Sequence, residues 1–95
     1  LGDFAHMDSN LKSLADYVIC LSESLAHTSH ANDRPLYQMY LADVAVLLAL
    51  VVRGSEPSQL LVRMERHERL CAQTFLAGPE HAAIAESWQR FKRTI

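Results

Sequence analysis

Ninety-five residues, 49% of them apolar, with only three Gly and three Pro, describe one small domain rich in helix formers and poor in breakers. The net charge of −2 excludes the strongly basic surface expected of a nucleic-acid-binding protein. The charge is uneven: residues 1–52 hold two bases against six acids, net −4, and residues 53–95 seven bases against five acids, net +2. Such a gradient orients a partner more than it tightens one.

Leu1–Asn10 has neither the basic start nor the apolar stretch of a secretory signal. Residues 1–8 are expected to be disordered or left over from cloning, with His6-Met7 either a scar ahead of the native start or native sequence. Asp8-Ser9 then offers a cap for a helix whose apolar residues, Leu11, Leu14, Ala15, Val18, Leu21 and Leu25, recur every three or four positions. The polar run His27–Asp33 ends it, Asp33 is placed to cap the next helix, and Pro35 falls in that helix's first turn.

The second helix, about Arg34 to Arg53, closes at Gly54, a natural C′ residue. It contains nine consecutive apolar residues, Val44–Val52, where a small soluble domain normally shows one greasy stripe and one wet face. The run is shorter than the ~20 residues of a membrane span, so no membrane is expected. Instead, one side should pack inside the monomer and the other meet a second polypeptide. Val44, Leu47, Leu48 and Val51 are the expected core or self-association seam.

Ser55-Glu56-Pro57 opens a third helix with an inner stripe of Leu60, Met64, His67, Cys71 and Phe75, and Gly78-Pro79 separates it from a fourth. There Ile84, Trp88, Phe91 and Ile95 form one face. Short connections place successive helices side by side and antiparallel. The expected architecture is all-α, a single domain over 1–95: a small four-helix unit built on an antiparallel hairpin, and a homodimer. Tyr37, Tyr40, Phe91 and Ile95 are the candidate anchors for a protein partner.

Catalytic chemistry finds little purchase. His67 and Cys71 share a helix face, but no C-x₂-C or H-E-x-x-H pattern accompanies them, so no metal and no cofactor are expected. The small helical chorismate mutases clamp dicarboxylates with inward arginines, whereas this chain has only Lys12 in its first helix and nothing basic between Arg34 and Arg53. Arg63, Arg66 and Arg69 are interleaved with Glu65 and Glu68, the pattern of a solvated face and not of a nucleic-acid surface. Cys20 and Cys71, far apart in sequence, read as packed thiols of a reducing cytoplasm.

Arg34–Pro57 resembles the proteobacterial quorum-sensing antiactivators of the TraM and QslA type, QslA more closely. The resemblance lies in a Tyr-containing helix start, an Ala/Leu/Val-rich helix, then Gly54 and Pro57 opening the next segment. It implies a cytoplasmic bacterial homodimer, not an enzyme, that binds a LuxR-type transcription factor and blocks its dimerisation or DNA binding. The alternative is a helical adaptor or chaperone-like dimerisation module of another complex.

Overall fold

The computed structural model describes residues 2–95, with side chains from Ser9 onward. The domain is all-helical: α1 Gly2–His27, α2 Arg34–Val52, α3 Pro57–Ala72 and α4 His81–Lys92, with a 3₁₀ turn at Ala31–Asp33 before α2. α1 and α2 form a hairpin; α4 packs against α1 and α3 against α2. α1 begins at Gly2, well ahead of the cap placed at Asp8-Ser9, because nothing between Asp3 and Asn10 breaks a helix.

One stripe from each helix fills the core: Leu14, Tyr17 and Leu21; Tyr37, Tyr40, Val44, Leu47 and Val51; Leu60 and Met64; Ile84, Trp88 and Phe91. Burying each of these larger side chains contributes about 1.5–3 kcal/mol. α2 ends in a Schellman motif. Gly54 takes φ 71°, its N–H donates to the carbonyl of Val51, and that of Ser55 donates to Leu50 (both 3.1 Å). A side chain at Gly54 would be strained by the left-handed backbone alone.

Two local expectations are corrected. α3 stops at Ala72, not at Gly78. The Thr74 hydroxyl lies 3.1 Å from the carbonyl of Cys71 and satisfies part of the helix end. Phe75 therefore leaves the inner stripe and stands 81% exposed. Asp33 precedes α2 but caps nothing there. Its buried carboxylate instead accepts the N–H groups of Ala77 and Gly78, at 2.9 and 3.1 Å. It thereby pins the α3–α4 connection to the start of α2.

The apolar excess of α2 is also larger than the nine-residue run. Ala31–Val52 is long and apolar enough, by length and composition, to cross a membrane. In this fold one face of that stretch, Tyr37 through Val51, is committed to the domain core.

Candidate functional site

Among the residues chosen as a seam, Val44, Leu47 and Val51 are core, at 7% exposure or less, while Leu48 is half-buried. The partner anchors fare differently from expectation. Tyr37, Tyr40 and Phe91 are buried in the monomer, at 2% exposure or less, and Ile95 is half-buried beyond the end of α4. These three aromatic rings are spent on intramolecular packing, so they offer a protein partner no surface in this fold, although Tyr40 lines a cleft. The reason is geometric: Tyr37 and Tyr40 lie on the same stripe as Val44, three and four residues apart, and a stripe is buried as a unit.

The unspent apolar surface lies elsewhere. α3 and α4 cover one face of the hairpin and leave the other open. On the open face, Leu11, Ala15, Val18, Ser22 and Leu25 of α1 recur at alternating four- and three-residue steps, and Leu41, Ala45, Leu48 and Val52 do the same on α2. None of these positions carries a charge. Leu11 and Val52 are 39% and 60% exposed, while Val18, Leu25, Leu41 and Leu48 are partly buried at the edge of the core. Two such parallel stripes are the seam pattern of packed helix pairs.

The second feature is polar and runs from α2 through α3 to α1. Asp43, the one charge inside the apolar part of α2, faces α3. Its Oδ1 accepts from Arg63 at 2.7 Å and its Oδ2 accepts from Nδ1 of His67 at 2.7 Å. His67 is 1% exposed, and burial holds its pKa below the usual imidazole value, against the opposing pull of Asp43. The ring is therefore neutral at pH 7, with its proton on Nδ1 and a lone pair on Nε2. Into that lone pair Tyr17 donates its hydroxyl, at 2.6 Å. Burial drives the Tyr17 pKa strongly upward, so the phenol keeps its proton.

Around this relay Tyr17, Tyr40, His67 and Trp88 pack ring against ring, with centroids 4.9–6.1 Å apart. Trp88 donates Nε1–H to Glu68 at 3.1 Å, and Lys92 reaches the same oxygen at 2.8 Å. The Lys92 contact is the main reason the Glu68 carboxyl sits below its ordinary pKa. Beside these bridges a cleft of about 500 Å³ remains between α3, α4 and the connection that joins them, lined by Tyr17, Tyr40, His67 and Cys71, with Phe75 at its edge.

Cys71, His67 and Asp43 superficially resemble a nucleophile, base and orienting acid. The distances and charges argue otherwise. Nε2 is taken by Tyr17 at 2.6 Å, while the Cys71 sulfur stands at 3.6 Å. Burial pushes the thiol up to about 11, and its place in the last turn of α3, at the negative end of the helix dipole, disfavours a thiolate. Both imidazole nitrogens have protein partners, and among the described residues no group of three His, Cys, Asp or Glu side chains is arranged to hold a metal.

Sequence reasoning singled out His67 and Cys71, passed over Asp43 and Tyr17, and read Arg63 and Glu68 as a solvated face, whereas Arg63 is largely shielded on Asp43 and Glu68 is held by Trp88 and Lys92. Asp43 was detectable as a lone acid within an apolar helix, which must find a partner when buried. No protein-family model, curated protein or solved structure matches this chain.

Proposed function

We propose that this chain is a non-enzymatic regulatory protein that acts by burying helix faces. It self-associates as a homodimer through the open face of the α1–α2 hairpin and inhibits a LuxR-type transcription factor in the cytoplasm by blocking dimerisation or DNA binding. The observation that carries the association is the uncharged, heptad-spaced double stripe from Leu11 to Leu25 and from Leu41 to Val52. Two adjacent helices, each about 10 Å wide, over a stripe roughly 20 Å long present a patch on the order of 400 Å², the size of the largest apolar patch on an ordinary monomer, which is often functional. A second hairpin laid on it would complete a four-helix seam of the ordinary kind.

The choice of target rests on the resemblance of Arg34–Pro57 to the antiactivators. The protonated thiol of Cys71 and the engaged nitrogens of His67 favour a binding role over catalysis. A DNA mobility-shift assay tests the target. Purified chain added to a LuxR-type activator on its operator should release the DNA, and the variant Ala45→Glu/Val52→Glu shows whether the stripe is needed. An activator that stays bound at excess chain removes the antiactivator reading. Capture of some other complex subunit in its place selects the adaptor alternative.

A further inference from the structure

The hairpin's open face does not account for the cleft on the opposite side, where hydrogen-bond direction is fixed from behind. Asp43 takes the proton side of the His67 ring, so Nε2 accepts and Tyr17 must donate to it. Having given up its only hydrogen, the Tyr17 oxygen can only accept from anything else that reaches it. Tyr40 is in a similar position. Thr74, its partner, lies against the carbonyls of Leu70 and Cys71, to which the threonine hydroxyl donates, so Tyr40 supplies the hydrogen between the two hydroxyls and keeps its lone pairs. The floor of the cleft thus offers the two phenol oxygens as acceptors, with the protonated Cys71 thiol as a weak donor beside Tyr17.

Its walls are mainly apolar and aromatic, Trp88 and Ile84 from α4, Leu76 from the connection and Phe75 at the edge, with the polar side chains of His81 and Gln89 beside them on α4. The fixed charges near it are already paired, Glu68 with Lys92 and Asp43 with Arg63. At about 500 Å³ the cleft falls within the range of small-molecule sites. Phe75, the most exposed large apolar side chain among the described residues at 81%, stands on the Asp33-pinned connection, where a bound ring would cover it.

We propose that the α3–α4 cleft binds a neutral, planar aromatic small molecule bearing one O–H or N–H group, which donates to the phenol oxygen of Tyr17 or Tyr40 while its ring packs between Phe75 and the edge of Trp88. This site is independent of the hairpin stripe and of any protein target.

The test uses 1-naphthol and its donor-less analogue 1-methoxynaphthalene, followed by calorimetry and by the emission of Trp88, the only tryptophan in the chain. One naphthol should bind per chain and alter Trp88 emission, and the methoxy compound should bind about tenfold more weakly, the worth of one hydrogen bond. Ala85→Phe, which fills the cleft from an exposed position on α4, should abolish binding of both. Tyr17→Phe/Tyr40→Phe should erase the difference between them. Val52→Glu, on the far face, should change nothing. No naphthol binding up to its solubility limit, equal affinity for the two compounds, or loss on Val52→Glu but not on Ala85→Phe would each overturn the proposal. Should the double tyrosine variant fail to fold, the ligand pair and Ala85→Phe still decide it.

Discussion

Asp43 and His67 are joined at 2.7 Å through Nδ1, and that single contact sets the polarity of everything beyond the ring. It also holds the two halves of the chain together, because Asp43 belongs to the hairpin and His67 to a covering helix. The same carboxylate takes the Arg63 guanidinium on its other oxygen. Both side chains of that ion pair are well shielded, at 16% and 13% exposure, which places the pair between the surface and fully buried regimes.

Asp43→Ala should therefore destabilise the domain by about 2–4 kcal/mol, chiefly because Arg63 and the Nδ1–H of His67 lose their acceptor. Asp43→Asn should cost less, since its amide oxygen still accepts from one of them. Urea unfolding followed by circular dichroism measures both. Equal and small losses would mean that solvent replaces the carboxylate and that the contact fixes nothing.

Stability should fall on both sides of a neutral plateau. The folded-state pKa of His67 is depressed, so the unfolded chain binds the proton first. Its stabilising contribution is complete above about 6.5 and is lost as pH falls toward the lower folded value. Glu68, also depressed, adds a second loss below about 4.5. Cys71 has the opposite sign: raised from 9.0 to about 11, it contributes fully below 9 and loses that contribution as pH climbs to 11. Urea midpoints from pH 4 to 11 should trace this shape, and Cys71→Ala should flatten part of the alkaline limb. A midpoint that rises from pH 6.5 to 5 would contradict the neutral, buried imidazole.

Two phenylalanines separate what periodicity reveals from what it hides. Phe91 falls in register with Ile84 and Trp88 and is fully buried; Phe91→Ala should cost about 3–5 kcal/mol. Phe75 falls in register with His67 and Cys71 yet is 81% exposed, and Phe75→Ser should change stability by no more than about 0.5 kcal/mol. Thermal melts of the two variants distinguish the cases. The hydrophobic pattern predicts a buried stripe only while the helix continues, and α3 ends at Ala72 through contacts made by Thr74.

The four helices were legible because Pro35, Gly54, Pro57 and Gly78-Pro79 punctuate them with local chemistry that acts wherever the chain goes. The site was not, for a physical reason. Asp33 and Asp43 each have a plausible local role, as a cap and as a surface charge, and each takes a partner more than twenty residues away. Spacing along the chain encodes which helix face a residue occupies, but not which distant face it meets. Tyr37 and Tyr40 show the same limit, since aromatic residues suit interfaces and cores equally.

Asp33→Ala tests the other long-range acid. Its carboxylate receives two backbone N–H groups, and no other partner for them is at hand in the pinned connection. The loss should be about 1–3 kcal/mol, with faster amide exchange concentrated at Ala77 and Gly78. Exchange that accelerates uniformly along the chain would instead indicate that Asp33 acts through overall stability and not through this connection.

The association surface is tested most cleanly by positions that are exposed in the monomer. Ala45 and Val52 both face solvent there, so Ala45→Glu/Val52→Glu should leave folding within about 1 kcal/mol of the parent, from roughly 0.5 kcal/mol per surface substitution. In a hairpin-to-hairpin dimer the same two carboxylates would be buried unpaired, at several kcal/mol. Leu48→Asp is a less discriminating variant, because Leu48 is half-buried against the core and its replacement damages the monomer as well. Sedimentation equilibrium should give twice the 10.7 kDa chain mass for the parent and a single chain for the double variant, with the same helical circular dichroism. A parent that sediments as one chain at high concentration, or a double variant that still pairs, would show that the open face of the hairpin is not the seam.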